Sequence, residues 1–111
     1  MPKSDKATVR ELLRDVCAAI DGGNAGMWKR TKNLKTLESF GWTEDDAYKV
    51  IYGLKFDNYR EGPEIDREYP LGLPVWIFSC CCAWRDIYIK FSLDRDVSPP
   101  RLFVLSFHES D

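Results

Sequence analysis

Hydrophobic positions recur every three to four residues near the start of the chain, which is the spacing of one face of a helix. The first such window spans residues 4–21, and its apolar side chains are Val9, Leu12, Leu13, Val16, Cys17 and Ile20. Ser4 or Asp5 can cap its start, and the DGGN segment at its end tolerates left-handed backbone. The pattern predicts an amphipathic helix with one buried stripe.

Two more helices are predicted downstream. The segment MWKRTKNLKTLESFGW has apolar residues at helical spacing, namely Leu34, Leu37 and Phe40. Its helix should stop at Gly41. In WTEDDAYKVIYGL, Thr43 and Asp46 have the spacing of a capping box, and the apolar stripe continues to a stop near Gly53. The acidic first turn of this third helix complements the helix dipole.

β-strand patterns fill the second half of the chain. A short strand is predicted over residues 56–59, followed by a loop rich in Gly, Pro and charge. Three longer runs follow, VWIFSCCCAW, RDIYIKFSL and RLFVLSFH, the last two joined by DRDVSPP. We therefore predict an α+β fold in a single domain over residues 1–111, with N-terminal helices packed on a C-terminal antiparallel sheet.

The last two predicted strands alternate between an apolar and a polar face. If Leu93 pairs near Arg101, odd-numbered residues face one another and even-numbered residues do the same. The odd set is apolar: Ile87, Ile89, Phe91, Leu93, Phe103, Leu105 and Phe107. The even face then holds Tyr88 diagonal to His108, the only histidine, with Lys90 one step along. Such groups can bind a phosphodiester and move protons, although an ordinary polar sheet face is the alternative.

Composition narrows the functional classes. The net charge of −2 and the pI of about 5.4 argue against a protein that coats nucleic acid by neutralising many phosphates. No apolar run approaches the ~20 residues that cross a bilayer, and the N-terminus lacks the apolar stretch of a signal peptide, so we expect a cytoplasmic protein without a membrane partner. The most basic window, with Lys29, Arg30, Lys32 and Lys35, is either a solvated helix face or an RNA contact.

The four cysteines lack the spacing of a disulfide framework or a zinc site. They are Cys17 and the consecutive Cys80, Cys81 and Cys82. Because successive residues on a strand point to opposite faces, three adjacent thiols cannot easily converge on one metal. We expect buried, inert cysteines, with an exposed reactive thiol as the alternative, and we expect no metal or other cofactor.

The order of these segments resembles the MqsR-type mRNA interferase toxins of bacterial toxin–antitoxin systems, which have a RelE-like ribonuclease fold. The resemblance covers roughly residues 43–109 and rests on AYKVIYGL, DNYR, the VW strand, DIYIKF and FVLSFHES. It implies metal-independent, sequence-selective cleavage of single-stranded mRNA by a toxin that a cognate antitoxin protein holds inactive. Dependence on the ribosome stays open.

The resemblance assigns roles position by position. The family's catalytic tyrosine falls on Tyr88, its basic residue after the final SF falls on His108, and a lysine after the third helix falls on Arg60. A glutamine of the next strand falls on Ile77, so its contribution is missing here. Cleavage by the ribose 2′-hydroxyl would use His108 as general acid or base, Tyr88 to orient the nucleophile or stack a base, and Arg60 with Lys90 to stabilise the phosphorane. The GPEID segment after Arg60 is assigned only to shaping the loop.

RNA contacts beyond the chemistry are assigned to rings and cations. Unstacked bases would pack on Tyr59 or Trp76, and phosphates would contact Lys29, Arg30 and Lys32. Core packing is the competing interpretation for the tryptophans, and it extends to Trp84. The competing function is a non-catalytic protein-binding module of the same fold, whose acidic helix and loop would dock a partner.

Overall fold

In residues 3–67 and 72–110, which the computed structural model describes, three α-helices precede the long strands of one five-stranded sheet. The elements are α1 (Lys6–Asp21), β1 (Ala25–Met27), α2 (Thr31–Phe40), α3 (Glu44–Tyr52), a 3₁₀ turn (Phe56–Asn58), β2 (Tyr59–Glu64), β3 (Val75–Cys82), β4 (Arg85–Asp94) and β5 (Arg101–Glu109). The strand order is β1-β5-β4-β3-β2, with β1 parallel to β5 and the other neighbours antiparallel. The α+β class is confirmed, and the sheet is mixed rather than purely antiparallel.

The helix boundaries follow the signals in the sequence. Asp5 caps α1, since its carboxylate accepts from the Thr8 N–H at 2.8 Å. Gly41 ends α2 with φ of +72°, a backbone conformation that side chains with a β-carbon disfavour. At α3 the Asp46 carboxylate accepts from the Thr43 N–H at 2.9 Å, as the capping box requires. Within the described residues, none of the helices combines the length and apolarity that a bilayer crossing requires.

The main core lies between the helices and one face of the sheet. Among its fully buried side chains are Val9, Leu12 and Val16 of α1, Ile51 of α3, and Phe78, Phe91 and Phe107 of the sheet. The stripes predicted for α1 and α3 thus face the core, with Cys17 and Ile20 half-buried at the end of α1. The stripe predicted for α2 was wrong at Leu34, which is 44% exposed. Trp76 lies in the same core with 8% of its surface exposed, as core packing predicts.

Two short elements differ from the prediction. Residues 56–58 form a 3₁₀ turn rather than a strand, and β2 begins only at Tyr59. β1 occupies three residues before the basic window, where no strand was predicted because three residues are too few to show a period. Residues 60–64, predicted as loop, belong to β2, and residues 68–71 of the predicted loop lie outside the described part of the chain.

The register of the last hairpin differs from the prediction at the connecting loop, where Leu93 pairs with Leu102 rather than Arg101, and again at a β-bulge in β5. The pairs are Tyr88–His108, Lys90–Ser106, Phe91–Val104 and Leu93–Leu102. Leu105 is therefore an extra residue, and the side-chain alternation of β5 reverses across it. Leu102 and Val104 face the helices, while Phe103 and Leu105 pack together on the opposite face. The predicted apolar set was wrong for Phe103 and Leu105.

Asn33 of α2 completes the hydrogen bonding at this bulge. β1 ends at Met27, before its pairing with β5 reaches the bulge. The Asn33 amide takes over: its Nδ2 donates to the Leu105 carbonyl at 3.0 Å, and its Oδ1 accepts from the Phe107 N–H at 3.0 Å. Nδ2 also donates to the Trp28 carbonyl at 2.9 Å. This fully buried side chain therefore replaces a strand partner and fixes α2 to the sheet edge.

The tip of the β3–β4 hairpin contradicts two expectations. Trp84, expected in the core, is 99% exposed. It forms the two-residue turn with Ala83, and both residues have positive φ, of 69° and 49°. The expectation of buried cysteines was wrong most clearly at Cys81, which is exposed, and the other three cysteines are only half-buried. All four are free thiols.

Candidate active site on the open face of the sheet

The sheet face opposite the helices, which we call the open face, has an apolar end and a polar end. At the apolar end Val75 and Leu105 are buried beneath Trp28, Leu73 and Phe103. The polar end carries Tyr88, Lys90, Ser106 and His108 in two adjacent rows of paired residues. Tyr88 and His108 keep part of their surface in solvent. The shared polar face predicted from alternation is confirmed for these side chains.

Tyr88 and His108 stack directly against each other. They are paired across β4 and β5, with ring centroids 5.4 Å apart and planes inclined by 28°. The prediction placed them diagonally. Two shifts of one residue bring them opposite: Leu93 pairs with Leu102 rather than Arg101, and the bulge at Leu105 adds the second shift. His108 Nδ1 lies 2.9 Å from the carbonyl oxygen of Glu109, which can only accept. This contact favours a proton on Nδ1 and leaves the lone pair of Nε2 available.

The electrostatic surroundings of Tyr88 keep its phenol protonated. Burial is the largest cause that raises the pKa of Tyr88 above its usual value, and the carboxylates of Glu64, Asp66 and Glu61 act in the same direction. The nearby Lys90 ammonium acts the other way without reversing the shift. Tyr88 is therefore suited to donate a hydrogen bond at neutral pH rather than to act as a base.

Lys90 is held in an ion pair with Asp66. The Nζ and Oδ2 atoms are 2.6 Å apart, and the two side chains are only 16% and 12% exposed. The row of Lys90 continues through Ile77 to Glu61 on the edge strand. The Glu61 carboxylate is therefore in the same row as the Lys90 ammonium, which the sequence analysis assigned to catalysis.

Glu64 adds a second carboxylate beside this pair. Burial raises its pKa, and the neighbouring Glu61 carboxylate raises it further. Its Oε2 atom is buried without a hydrogen-bond partner among the described residues. Sequence reasoning missed the roles of Glu64 and Asp66, although both belong to the GPEID segment that it treated as loop.

Arg60 is held away from the Tyr88 and His108 rows. Its Nη1 donates to the carbonyl oxygens of Asp57 at 2.9 Å and Tyr59 at 3.0 Å, which fixes the guanidinium at the 3₁₀ turn. A register shift in β2 makes Glu61 the partner of Ile77. The structure therefore does not bring Arg60 together with the other three residues assigned to catalysis.

Two rings assigned to base stacking are part of the core. Tyr59 is 8% exposed, and its hydroxyl donates to the Gly62 carbonyl at 2.6 Å and accepts from the Ser4 N–H at 2.9 Å. Trp76 is equally buried on the helix side of the sheet. Stacking on a base would require both rings to leave these contacts, so we leave Tyr59 and Trp76 out of the proposed RNA surface.

The basic window is divided between two parts of the molecule. Lys29 pairs with the Glu44 carboxylate at the start of α3, and this contact is the main cause that lowers the pKa of Glu44. The same carboxylate accepts from the Tyr48 hydroxyl at 3.1 Å. Lys32 is exposed on the first turn of α2. The contacts of Lys29 therefore anchor α3 rather than extend the open face.

Arg30 lies at the apolar end of the open face. Its guanidinium carbon is 4.2 Å from the centroid of the Trp28 ring. Trp28 in turn meets Phe103 edge-on, with centroids 5.9 Å apart. Arg30 thus extends the basic window to this face.

Two cavities lie away from this site. The first, of about 390 Å³, lies between the end of α1 and α3 and is lined by Asp21, Tyr48, Lys49 and Tyr52 among others. The second, of about 370 Å³, lies between α1 and the 3₁₀ turn. Neither is lined by Tyr88 or His108. Tyr88 and His108 lie on a sheet face rather than in either of these two cavities.

Comparisons of the chain with protein-family models, with curated proteins and with solved structures give no match. The resemblance seen in the sequence motifs therefore stays a prediction.

Proposed function

We propose that this protein is a toxin-type endoribonuclease that cleaves single-stranded mRNA by metal-independent attack of the 2′-hydroxyl, and that a cognate antitoxin protein inhibits it. One observation carries the proposal: the Tyr88–His108 stack at the accessible end of the open face, with Lys90 in the next row. This arrangement offers a proton acceptor, a neutral hydrogen-bond donor and a cation within one surface. The proposed reaction takes place in the cytoplasm, where mRNA is available.

His108 accepts the proton of the attacking hydroxyl. With Nδ1 directed at the Glu109 carbonyl, the lone pair of Nε2 is free to take the 2′-hydroxyl proton as the oxygen bonds to phosphorus. The bond from phosphorus to the 5′-oxygen then breaks, and that oxygen takes a proton from solvent. The products are a 2′,3′-cyclic phosphate and a free 5′-hydroxyl, and DNA is not a substrate because it lacks the nucleophile.

Tyr88 and Lys90 stabilise the phosphate during this attack. The protonated phenol of Tyr88 donates to a non-bridging oxygen, and the Lys90 ammonium offsets the charge that develops in the phosphorane. Asp66 holds that ammonium in the resting protein, so a bound phosphate has to compete with Asp66 for it. Arg60 has no part in this version of the mechanism, because its guanidinium is bound at the 3₁₀ turn.

The proposal is tested with a single-stranded RNA oligonucleotide in EDTA. We expect the wild-type protein to produce fragments with cyclic-phosphate ends, identified by mass spectrometry, and the His108→Ala variant to lose at least about 100-fold in rate. Arg101→Ala, an exposed change on the same strand, is the matched control and should retain activity. A single 2′-deoxy substitution at the cleaved nucleotide should block the reaction. If the RNA stays intact with both the wild-type protein and the His108→Ala variant, the enzyme proposal fails.

A second candidate is a non-catalytic protein-binding module. The observation that favours it is the neutralisation of Lys90 by Asp66 with Glu64 close by, since carboxylates repel a phosphate backbone. This function predicts no measurable affinity for single-stranded RNA, even at low salt, in fluorescence anisotropy with a labelled oligonucleotide. Binding that Lys90→Ala weakens would contradict it.

A further inference from the structure

Two cysteine thiols converge near the end of β3. Residues two apart on a strand point to the same face, so Cys80 and Cys82 project together, and their Sγ atoms are 3.5 Å apart. Cys81 points to the other face and is exposed. The objection to three adjacent thiols meeting at one point therefore holds, and what remains is a pair of thiols.

The surroundings of this pair combine an apolar wall with a cation. Cys80 and Cys82 are half-buried against the main core. Arg85 is the cross-strand partner of Cys82 and so shares its face. The Arg85 guanidinium lies 4.3 Å from the centroid of the Phe40 ring and donates to Ser39 Oγ at 2.7 Å, so it is held in place. Its Nη1 also lies 3.4 Å from the Glu109 Oε1 atom, so the charge of Arg85 is shared with a carboxylate.

The strand geometry suits a bridging ion better than a disulfide. Residues i and i+2 of a strand are about 6.6 Å apart at Cα, near the upper limit for a disulfide, whose sulfurs must approach to about 2.05 Å. An ion between two sulfurs in a line needs them about 4.6 Å apart, taking a metal–sulfur bond of about 2.3 Å as the scale. The observed 3.5 Å separation reaches that value through small rotations of the two side chains.

We propose that Cys80 and Cys82 form a two-coordinate binding site for a soft monovalent metal ion of the copper(I) class. Thiolates select such ions, whereas zinc completes a tetrahedron of four ligands. Among the described residues no group of three or more His, Cys, Asp or Glu side chains is arranged to hold a metal. Binding replaces two S–H bonds with two S–Cu bonds and releases two protons to solvent, and the copper stays in its monovalent state.

The test is a competition for copper(I) under anaerobic, reducing conditions. Reduced protein is titrated into the copper(I) complex of bathocuproine disulfonate, and loss of its colour reports transfer of the ion. We expect transfer of one copper per chain to the wild type. Cys80→Ser and Cys82→Ser should each weaken binding by more than about 100-fold, since loss of an outer-shell partner alone costs about 10–100-fold.

The remaining cysteines supply matched controls. Cys81→Ser and Cys17→Ser remove a thiol without touching the pair, so both variants should bind like the wild type, and circular dichroism checks that all four variants are folded. The proposed site is overturned if Cys81→Ser loses copper(I) binding as Cys80→Ser does. It is also overturned if neither Cys80→Ser nor Cys82→Ser weakens binding. Equal affinity after denaturation in urea would also overturn it, because the fold would then contribute nothing to the site.

Discussion

The Asn33 side chain joins α2, the bulge of β5 and the chain after β1 from a fully buried position. Asn33→Ala removes the bonds of its amide to the Leu105 carbonyl and the Phe107 N–H. Each buried polar group left without a hydrogen bond costs about 1–3 kcal/mol. We expect the free energy of unfolding to fall by about 2–4 kcal/mol in urea denaturation. Asn24→Ala removes one exposed bond to the Pro99 carbonyl and should cost less than about 1 kcal/mol. Equal losses in the two variants would contradict the role of Asn33.

Asp66 determines how much of the Lys90 charge is available to a phosphate. Asp66→Asn keeps the size of the side chain and an oxygen that can accept from Nζ, but it removes the competing negative charge. We expect single-stranded RNA to bind roughly tenfold more tightly, which corresponds to about 1.4 kcal/mol. Fluorescence anisotropy with an uncleavable 2′-O-methyl oligonucleotide measures this affinity. Asp45→Asn, the same change at an exposed position of α3, should have little effect. Unchanged affinity in Asp66→Asn would mean that Lys90 does not contact phosphate.

Glu64 should make the stability of the protein depend on pH. Because burial raises its pKa in the folded state, the folded protein holds the Glu64 proton more tightly than the unfolded chain does. The contribution of Glu64 to folding stability is complete below the ordinary glutamate pKa of about 4.3. It is lost as the pH rises through the raised pKa of the folded state. Glu64→Gln stays neutral, so this variant should be more stable than wild type at pH 7 and equal to it near pH 4. Urea denaturation across that range checks it, and a difference independent of pH would contradict the assignment.

Single residues show where sequence reasoning succeeds and where it stops. Alternation along β4 and β5 is a local property, and it correctly placed Tyr88, Lys90 and His108 on one face. The partners of those residues are not local. Asp66 reaches Lys90 across 24 positions and Asn33 reaches Leu105 across 72, and no spacing in the sequence marks either contact.

At the scale of elements, the β3–β4 hairpin has a turn whose sequence does not suit its backbone. Two-residue turns with positive φ at both positions favour Asn-Gly, whereas this turn contains Ala83 and Trp84. The double change Ala83→Asn with Trp84→Gly should raise the free energy of unfolding by about 1–2 kcal/mol, since each ordinary residue pays about that much for left-handed backbone. Trp84 is almost fully exposed, so little packing is lost. Trp84→Ala, which removes the indole and keeps the strain, is the control, and the double variant should exceed it in urea denaturation.

The bulge shows why element boundaries were easier to predict than strand register. Helix caps are local signals, and Asp5, Gly41 and Asp46 acted as their sequence contexts indicated. Val104 and Leu105 are both apolar, so the pattern carries no mark of the residue that the bulge inserts. What stabilises the bulge is the Asn33 amide, which arrives from another element. The slip in register is therefore a tertiary effect that no window of β5 reveals.

At the scale of the whole molecule, the proposed RNA binding requires an acidic protein to separate its charges. The acidic first turn of α3 is at the helix side, where Glu44 pairs with Lys29. Arg30 stacks on Trp28 at one end of the open face, and Lys90 lies further along it. Binding should therefore depend on where a charge lies and only weakly on the net charge of −2.

Two charge reversals separate position from net charge. Arg30→Glu and Lys49→Glu each replace a cation with an anion, so each takes the net charge from −2 to −4. Lys49 lines the cavity between α1 and α3, on the helix side of the sheet, whereas Arg30 lies over the open face. If RNA lies along the open face, Arg30→Glu should weaken binding at least about tenfold at low salt and reduce the salt slope by about 0.7, the value of one phosphate contact on a single strand. Lys49→Glu should leave both quantities nearly unchanged in anisotropy titrations over a salt series. Equal effects of the two reversals would mean that the net charge governs RNA binding. The open face would then not be the RNA-binding surface.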